Sequence, residues 1–380
     1  MKIFHLPISK NRIYGLDILR ALAILFVVYG HTIPFVIKVW PKKWLTIPVL
    51  DGVSIFFVLS GFLIGGILIK NFENKKATPS LLFNFWIRRW FRTLPNYFLV
   101  FGLLFIAQGL ILNKTSFSDS WPYLFFSQNL FSSHPLFFPE AWSLSVEEWF
   151  YILIPILLML FRKMKLSVKS SSLLLILLFL LGSLLIRYLR FEEIENVSFK
   201  EWDNLFRKQV FTRLDSIMFG LLGAWFFYYF KNFWVRNKKA FLVLGILFMA
   251  LHKSLIYFRL DLGFTYNVYY CVWSFSLISL ATLLFIPFLS EIKTGSGKIF
   301  RNISRISLIS YSMYLVNLTL VQELILRALY KIWPLNYSQF TSLVYFALAW
   351  IFTILISILL YKYFEVPTTK LREKWAAKDS

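Results

Sequence analysis

Ten apolar blocks punctuate this chain, at about 16–36, 48–69, 92–112, 147–161, 171–190, 210–230, 240–257, 265–289, 306–328 and 342–364. Most hold the roughly 18 to 25 residues with few charges that an α-helix needs to cross a hydrocarbon core of ~30 Å. In lipid a backbone must satisfy its own hydrogen bonds, so spanning segments are helices or closed barrels, and no ten-residue alternation of apolar and polar residues suggests barrel strands here. The blocks therefore predict an all-α, polytopic integral membrane protein, one bundle of about ten transmembrane helices. The fourth block is short, and the aromatic stretch WPYLFFSQNLF (121–131) reads as a re-entrant or interfacial segment. The longest polar interruptions, 70–91, 113–146 and 187–209, are too short for an independent core. Residues 1–380 are thus read as one membrane domain without a separate soluble one.

The net charge is +22, from 41 Lys and Arg against 19 Asp and Glu. Nucleic acid is a common partner of so basic a chain, but the location of the cations points elsewhere. With the N-terminus in the cytoplasm, the segments on that side carry about twice the Lys and Arg of the opposite side, which favours N-in, C-in and ten spans. The tail KLREKWAAKDS is basic and is expected at the inner membrane surface, against lipid. The only cysteine is Cys271, so no intrachain disulfide can form. Lys2, Lys10 and Arg12 precede the first block, which lacks a small-x-small cleavage pattern and reads as an uncleaved first helix.

Charged side chains inside apolar runs are expensive and usually face a bundle interior or a wet cavity. In LDILRALAILFVVYGHTIPF (16–35), Arg20 and His31 are eleven residues apart, three helical turns plus about 20°, so they project from nearly one face ~16 Å apart. One reading has Arg20 snorkelling to the headgroups and His31 at the outer interface; the other, with Tyr14 and Asp17, makes the face a polar lining. In NFWIRRWFRTLPNYF (84–98), expected at the inner mouth of the third span, Arg88, Arg89 and Arg92 sit at three- and four-residue spacings that let guanidinium groups converge. Such planar forks suit phosphate oxygens, although Arg anchors at membrane edges are also common. In PEAWSLSVEEWFYILIP (139–155), Glu147 and Glu148 are expected at the outer start of a span, with Ser143 or Ser145 as cap and one acid projecting inward. Tyr151 shares a face with either acid.

Weaker signals follow. Arg213, Asp215 and Gly220 in FTRLDSIMFG suggest a structural ion pair at the outer entry of span six. Tyr311, Tyr314 and Asn317 in SYSMYLVN suit helix-to-helix hydrogen bonds, and Glu365 with Pro367 closes the last span. His5, His31, His134 and His252 are dispersed without a ligand-spaced companion, so no metal is predicted. TGSGK (294–298) lacks the first glycine of a phosphate loop.

Taken in order, RALAILFVVYGH, DGVSIFFVLSGFLIGGIL, RRWFRTLPNYF, the lone Asn129, WSLSVEEWFY, RLDSIMFG, SYSMYLVN and FEVP resemble the acyltransferase family 3 membrane enzymes, from about residue 14 to 370. Two positions depart from the common pattern: Ser54 stands where many members have Asp, and Asn317 where many have His. The resemblance implies transfer of an acyl group, acetyl above all, from cytoplasmic acyl-CoA to a hydroxyl of a cell-surface glycan, in a bacterial inner membrane. It implies that His31 and Arg20 are the paired first-helix residues needed for transfer and that Arg88, Arg89 and Arg92 hold CoA. Glu147 and Glu148 match its acidic pair, and Tyr151, Asn129, Arg213, Asp215, Tyr311 and Asn317 are the remaining candidates for substrate or pore lining. An imidazole with an ordinary pKa near 6.5 suits deprotonation of the acceptor, with Glu148 positioning it or the acceptor. A multi-pass transporter of an acylated or anionic small molecule is the competing class, since intramembrane Arg and His also line permeation paths.

Overall fold

The structure is a computed structural model that describes residues 6–8, 12–37, 39–112, 115–260, 266–332 and 338–375. Lys2, His5, Lys10 and the end of the basic tail lie outside the described residues.

All ten apolar blocks are helical. They are α1 (Tyr14–Val36), α2 (Gly52–Asn74), α3 (Pro79–Phe105), α4 (Ala141–Lys163) and α5 (Val168–Glu193), then α6 (Leu214–Tyr229), α7 (Lys238–Leu260), α8 (Ser274–Leu289), α9 (Gly297–Val316) and α10 (Gln339–Leu360). A last helix, α11 (Val366–Trp375), follows α10 after a π-helical turn at Tyr361–Glu365. Among the described residues nine helices are long and apolar enough to cross a membrane, and α6, at 16 residues, is the short apolar one. Chain chemistry explains the starts. Asp51 caps α2 by accepting from the amides of Val53 (3.1 Å) and Ser54 (3.3 Å), while Thr78 caps α3 just before Pro79. Oxygen acceptors at this position satisfy amides that have no intrahelical partner.

Two helices begin well before their hydropathy suggests. Spans expected from 92 and 147 start at Pro79 and Ala141, because hydropathy penalises the Arg residues of α3 and the Ser and Glu residues of α4, whereas the folded helices turn several of these inward to partners. The expected caps Ser143 and Ser145 are therefore corrected: both are inside α4, Ser143 bonded to the Tyr314 hydroxyl (2.6 Å) and Ser145 to the Gln128 amide (2.6 Å). The stretch at 121–131 holds a short 3-10 helix, Trp121–Phe125, with Tyr123 buried and Trp121 and Phe125 exposed.

Contacts between the segments that join helices identify two faces of the bundle. Where α1 begins, the Gly15 amide donates to the Ile292 carbonyl (2.9 Å). On the opposite face, Val210 bonds to Asn129 (3.2 Å) and Tyr266 to Val197 (3.0 Å). We call these the entry face and the far face of α1. At the centre, α2 and α6 pack at glycine distance: a Cβ on Gly61 would lie 1.9 Å from the Ile217 carbonyl oxygen, and one on Gly220 2.1 Å from that of Val58. Small residues let membrane helices approach this closely and gain dispersion contacts that lipid offers equally to wider pairs.

Candidate active site

Two of the cavities among the described residues open inside the bundle. The larger, about 650 Å³, reaches from the entry face and is lined by the cations Arg12, Arg20, Arg89 and Arg92 together with Glu147 and Glu365. Asp17 organises its α1 wall, accepting from Arg12 Nε (2.9 Å) and Ser307 (2.8 Å), and Arg20 approaches the same carboxylate at 3.4 Å. Arg20 thus lines a polar cavity, held by an acid one turn earlier on its own helix.

The opposite wall joins α3 to α4. Arg89 donates to the Tyr151 hydroxyl (2.9 Å), which also bonds Ser60 (2.7 Å) and Glu147 (2.9 Å). Glu147 and Tyr151 are four residues apart, so the helical repeat brings them together. Glu148, on the next position, points away from this cluster: its carboxylate accepts from Trp90 Nε1 (3.1 Å) and Thr93 (3.1 Å) of α3. Arg92 faces the cavity, while Arg88 is exposed and is not part of the lining. Tyr311 lines the cavity and donates to the Thr93 carbonyl (2.7 Å).

The smaller cavity, about 180 Å³, lies toward the far face and contains His31, Asp51, Glu140, Arg207 and Lys208. Val53 and Tyr314 line both cavities and form their common wall. His31 Nδ1 is 2.6 Å from Asn317 Oδ1. The amide nitrogen of Asn317 donates to the carbonyls of Met313 (3.0 Å) and Tyr314 (2.9 Å), groups that only accept. Oδ1 must then be the atom that faces the ring, so Nδ1 carries the proton and Nε2 keeps its lone pair in the neutral imidazole. Glu148 bonds to α3 and not to His31, whose side-chain partner is Asn317. Asn317 opens a π-helical stretch, Asn317–Leu326, and the carboxylate of Glu140 accepts from the Thr319 amide (2.7 Å) in its first turn. Such widened turns recur at functional sites.

Outside the membrane-spanning helices, Asp203 pairs with Arg207 (2.6 Å) and Lys208 (2.5 Å) beside the smaller cavity. Burial opposes its ionisation, but the two cations outweigh burial and hold its carboxyl below the ordinary value.

Arg213 and Asp215 do not form the pair expected of them. Arg213, fully buried, donates to Ser54 (2.6 Å) and pairs with Asp51 (3.5 Å), whereas Asp215 pairs with the fully buried Arg187 (2.8 Å). Arg213 stands just before α6 with a non-helical backbone and Asp215 lies in its first turn, and each finds its partner on another element. Asn129 is a clasp: its side-chain amide donates to the Trp142 carbonyl (3.0 Å) and to that of Lys208. Sequence reading passed over Ser60, Asp51, Glu140 and Arg187. Asp51 shows in the sequence as an acid near the start of an apolar block, the kind of residue that caps a helix, but its pairing with the distant Arg213 carries no local signal. Among the described residues no group of His, Cys, Asp and Glu is arranged to hold a metal.

No solved structure matches this chain. It is 32% identical over 190 residues to the peptidoglycan O-acetyltransferase OatA of Listeria monocytogenes, covering 46% of this chain and 28% of that protein. It is 32% identical over 170 residues to YrhL of Bacillus subtilis, 41% of this chain and 25% of that protein. The matched region thus spans about a quarter of each relative's length. The acyltransferase domain family matches residues 13–362. With nearly the whole bundle covered, including the smaller cavity and most of the larger one, this integral membrane protein belongs to that acyltransferase family.

Proposed function

We propose that the protein is a membrane O-acetyltransferase that carries an acetyl group from cytoplasmic acetyl-CoA in the larger cavity to a hydroxyl of peptidoglycan or another envelope glycan in the smaller one. Its entry face then lies in the cytoplasm, as the Lys and Arg distribution favours, and the bacterial inner membrane is its location. The observation that carries the proposal is the pair of back-to-back cavities: a strongly cationic one containing Arg20, Arg89 and Arg92, and one with an oriented imidazole, sharing the wall of Val53 and Tyr314.

The chemistry asked of the protein is modest, because a thioester is already activated. Once the Val53 and Tyr314 side chains part and the acetyl group reaches the smaller cavity, His31 Nε2 takes the proton of the acceptor hydroxyl as its oxygen attacks the acetyl carbonyl carbon. The tetrahedral intermediate then collapses with cleavage of the C–S bond, and the proton held by His31 passes to the leaving thiolate of CoA. General-base assistance of this kind is worth about 10²- to 10⁴-fold. Asn317 holds the ring in the reactive tautomer, the role that Asn or Asp plays in hydrolase triads. Arg20, Arg89 and Arg92 attract the polyanionic donor, and the low-dielectric walls focus their field.

Membranes containing the protein, given acetyl-CoA labelled in the acetyl group, are expected to transfer label to glycan in a His31-dependent way. Mass spectrometry of envelope glycans from cells with and without the protein identifies the product as an added 42-Da acetyl group, about the mass of C2H2O. A folded His31→Ala variant with full turnover removes His31 from this role. Label that crosses the membrane without becoming ester-linked supports transport instead.

A further inference from the structure

The basic helix α11 does more than lie at a membrane surface. The turn before it is pinned by Glu365, whose carboxylate accepts from Asn96 (2.9 Å) of α3 and Ser312 (2.7 Å) of α9. That anchorage sets α11 against α3. Val366, Thr369 and Lys370 are spaced i, i+3 and i+4 and so share a face, and with Arg372 they line the larger cavity. The α11 cations face the same space as Arg20, Arg89 and Arg92 although they come from the other end of the chain.

Charge and position together identify what these cations would meet. The cavity lining has six cations, Arg12, Arg20, Arg89, Arg92, Lys370 and Arg372, against two carboxylates, Glu147 and Glu365. Arg12 is committed to Asp17 and Arg89 to Tyr151, whereas Lys370 and Arg372 make no ion pair among the described residues. The cavity's far end is marked by Val53, the second residue of α2, and Tyr314, the wall behind which His31 sits. Its near end is marked by α11, which lies beyond the entry-face end of α10. A thioester aimed at the wall leaves the nucleotide end of CoA at α11. That end carries a ribose 3′-phosphate with about −1.5 to −2 charge, the group that distinguishes CoA from 3′-dephospho-CoA.

We infer that Lys370 and Arg372 of α11 form a subsite for the 3′-phosphate of CoA, which makes the C-terminal helix a determinant of donor choice. The inference rests on the reading of the larger cavity as the CoA site. Phosphate held by a Lys and an Arg gains charge-assisted hydrogen bonds, and Arg adds fork geometry.

The test is binding of CoA and of 3′-dephospho-CoA to the full-length protein in nanodiscs of zwitterionic lipid, by calorimetry. Wild type is expected to bind CoA about tenfold or more tighter than 3′-dephospho-CoA. A Lys370→Gln/Arg372→Gln variant, in which Gln keeps helix propensity, is expected to lose most of that preference by weakening CoA binding alone. Equal binding of the two nucleotides by wild type overturns the subsite without any variant. A preference that survives in the variant assigns the 3′-phosphate to other residues. A defect of the variant that appears only when anionic lipid is added, and does not depend on the 3′-phosphate, assigns α11 to headgroups. If neither nucleotide binds wild type, the CoA reading itself fails and the subsite with it.

Discussion

At the scale of single residues, the contact between His31 and Asn317 carries the most specific consequence. The Asn317 amide is committed to two carbonyls of its own helix, which leaves one atom for the ring. Asn317→Ala is expected to lower kcat by about ten- to a hundredfold with little change in KM for acetyl-CoA, because it frees the ring without touching the donor cavity. Asn317→Asp, which keeps an acceptor oxygen at that place, is expected to recover much of the rate. Equal losses in the two variants, or a loss confined to KM, would argue against an orienting role. Arg20 and His31 stand out in the sequence because ionisable groups in an apolar run need a reason. Ser54 stands out only as a departure from a family pattern, and Asn317 as that and as a polar residue suited to helix-to-helix hydrogen bonds; neither shows its partner, Arg213 or His31, 159 and 286 residues away.

At the scale of elements, the α2–α6 contact and the segment before α6 make separate predictions. Gly220→Val places atoms where the Val58 carbonyl and the Phe62 amide already stand, and is expected to cost at least about 3 kcal/mol, seen as a lower melting temperature in detergent. Gly182→Ala on α5, where a Cβ would meet nothing within 4 Å, is expected to be neutral or to stabilise by up to about 1 kcal/mol, since Ala is the better helix former. A tolerated Gly220→Val would mean that the two helices do not meet so closely. For the 202–208 segment, the depressed pKa of Asp203 ties local stability to pH. A carboxyl whose folded value lies below its unfolded value, ~3.9, stabilises the fold above that pH, and the contribution is lost as pH falls through the folded value. Proteolysis or hydrogen exchange at 198–209 should therefore rise below about pH 4 in wild type, and Asp203→Asn should show the raised rate already at neutral pH. A profile that is the same for both proteins would remove Asp203 from that role.

At the scale of the whole molecule, the two faces have different chemistry, and orientation decides which substrate each meets. An entry face in the cytoplasm predicts that, in a Cys271→Ser background, a membrane-impermeant thiol reagent added to intact cells labels Ser133→Cys and spares Lys76→Cys. The reverse pattern would put the cationic cavity outside, where acetyl-CoA is not supplied. Part of the basic excess of a chain with charge +22 lines one deep cavity, where Arg12, Arg20, Arg89, Arg92, Lys370 and Arg372 meet.

The pattern of apolar residues alone was enough to specify an all-α bundle of about ten spans, because a spanning backbone is either helical or a closed barrel, barrel alternation is missing from the sequence, and the length of a span is set by the bilayer. The same local information marked charged and polar positions as interior, since lipid excludes them. It misjudged where α3 and α4 begin, counting as boundary residues the very side chains that those helices turn inward. Pairing was decided only by the tertiary structure: Arg213 with Asp51, Asp215 with Arg187, His31 with Asn317 and Glu148 with α3. A buried polar group must find a partner somewhere, but which one depends on how helices pack across the bundle, and that information is spread over contacts between residues 28 to 286 positions apart.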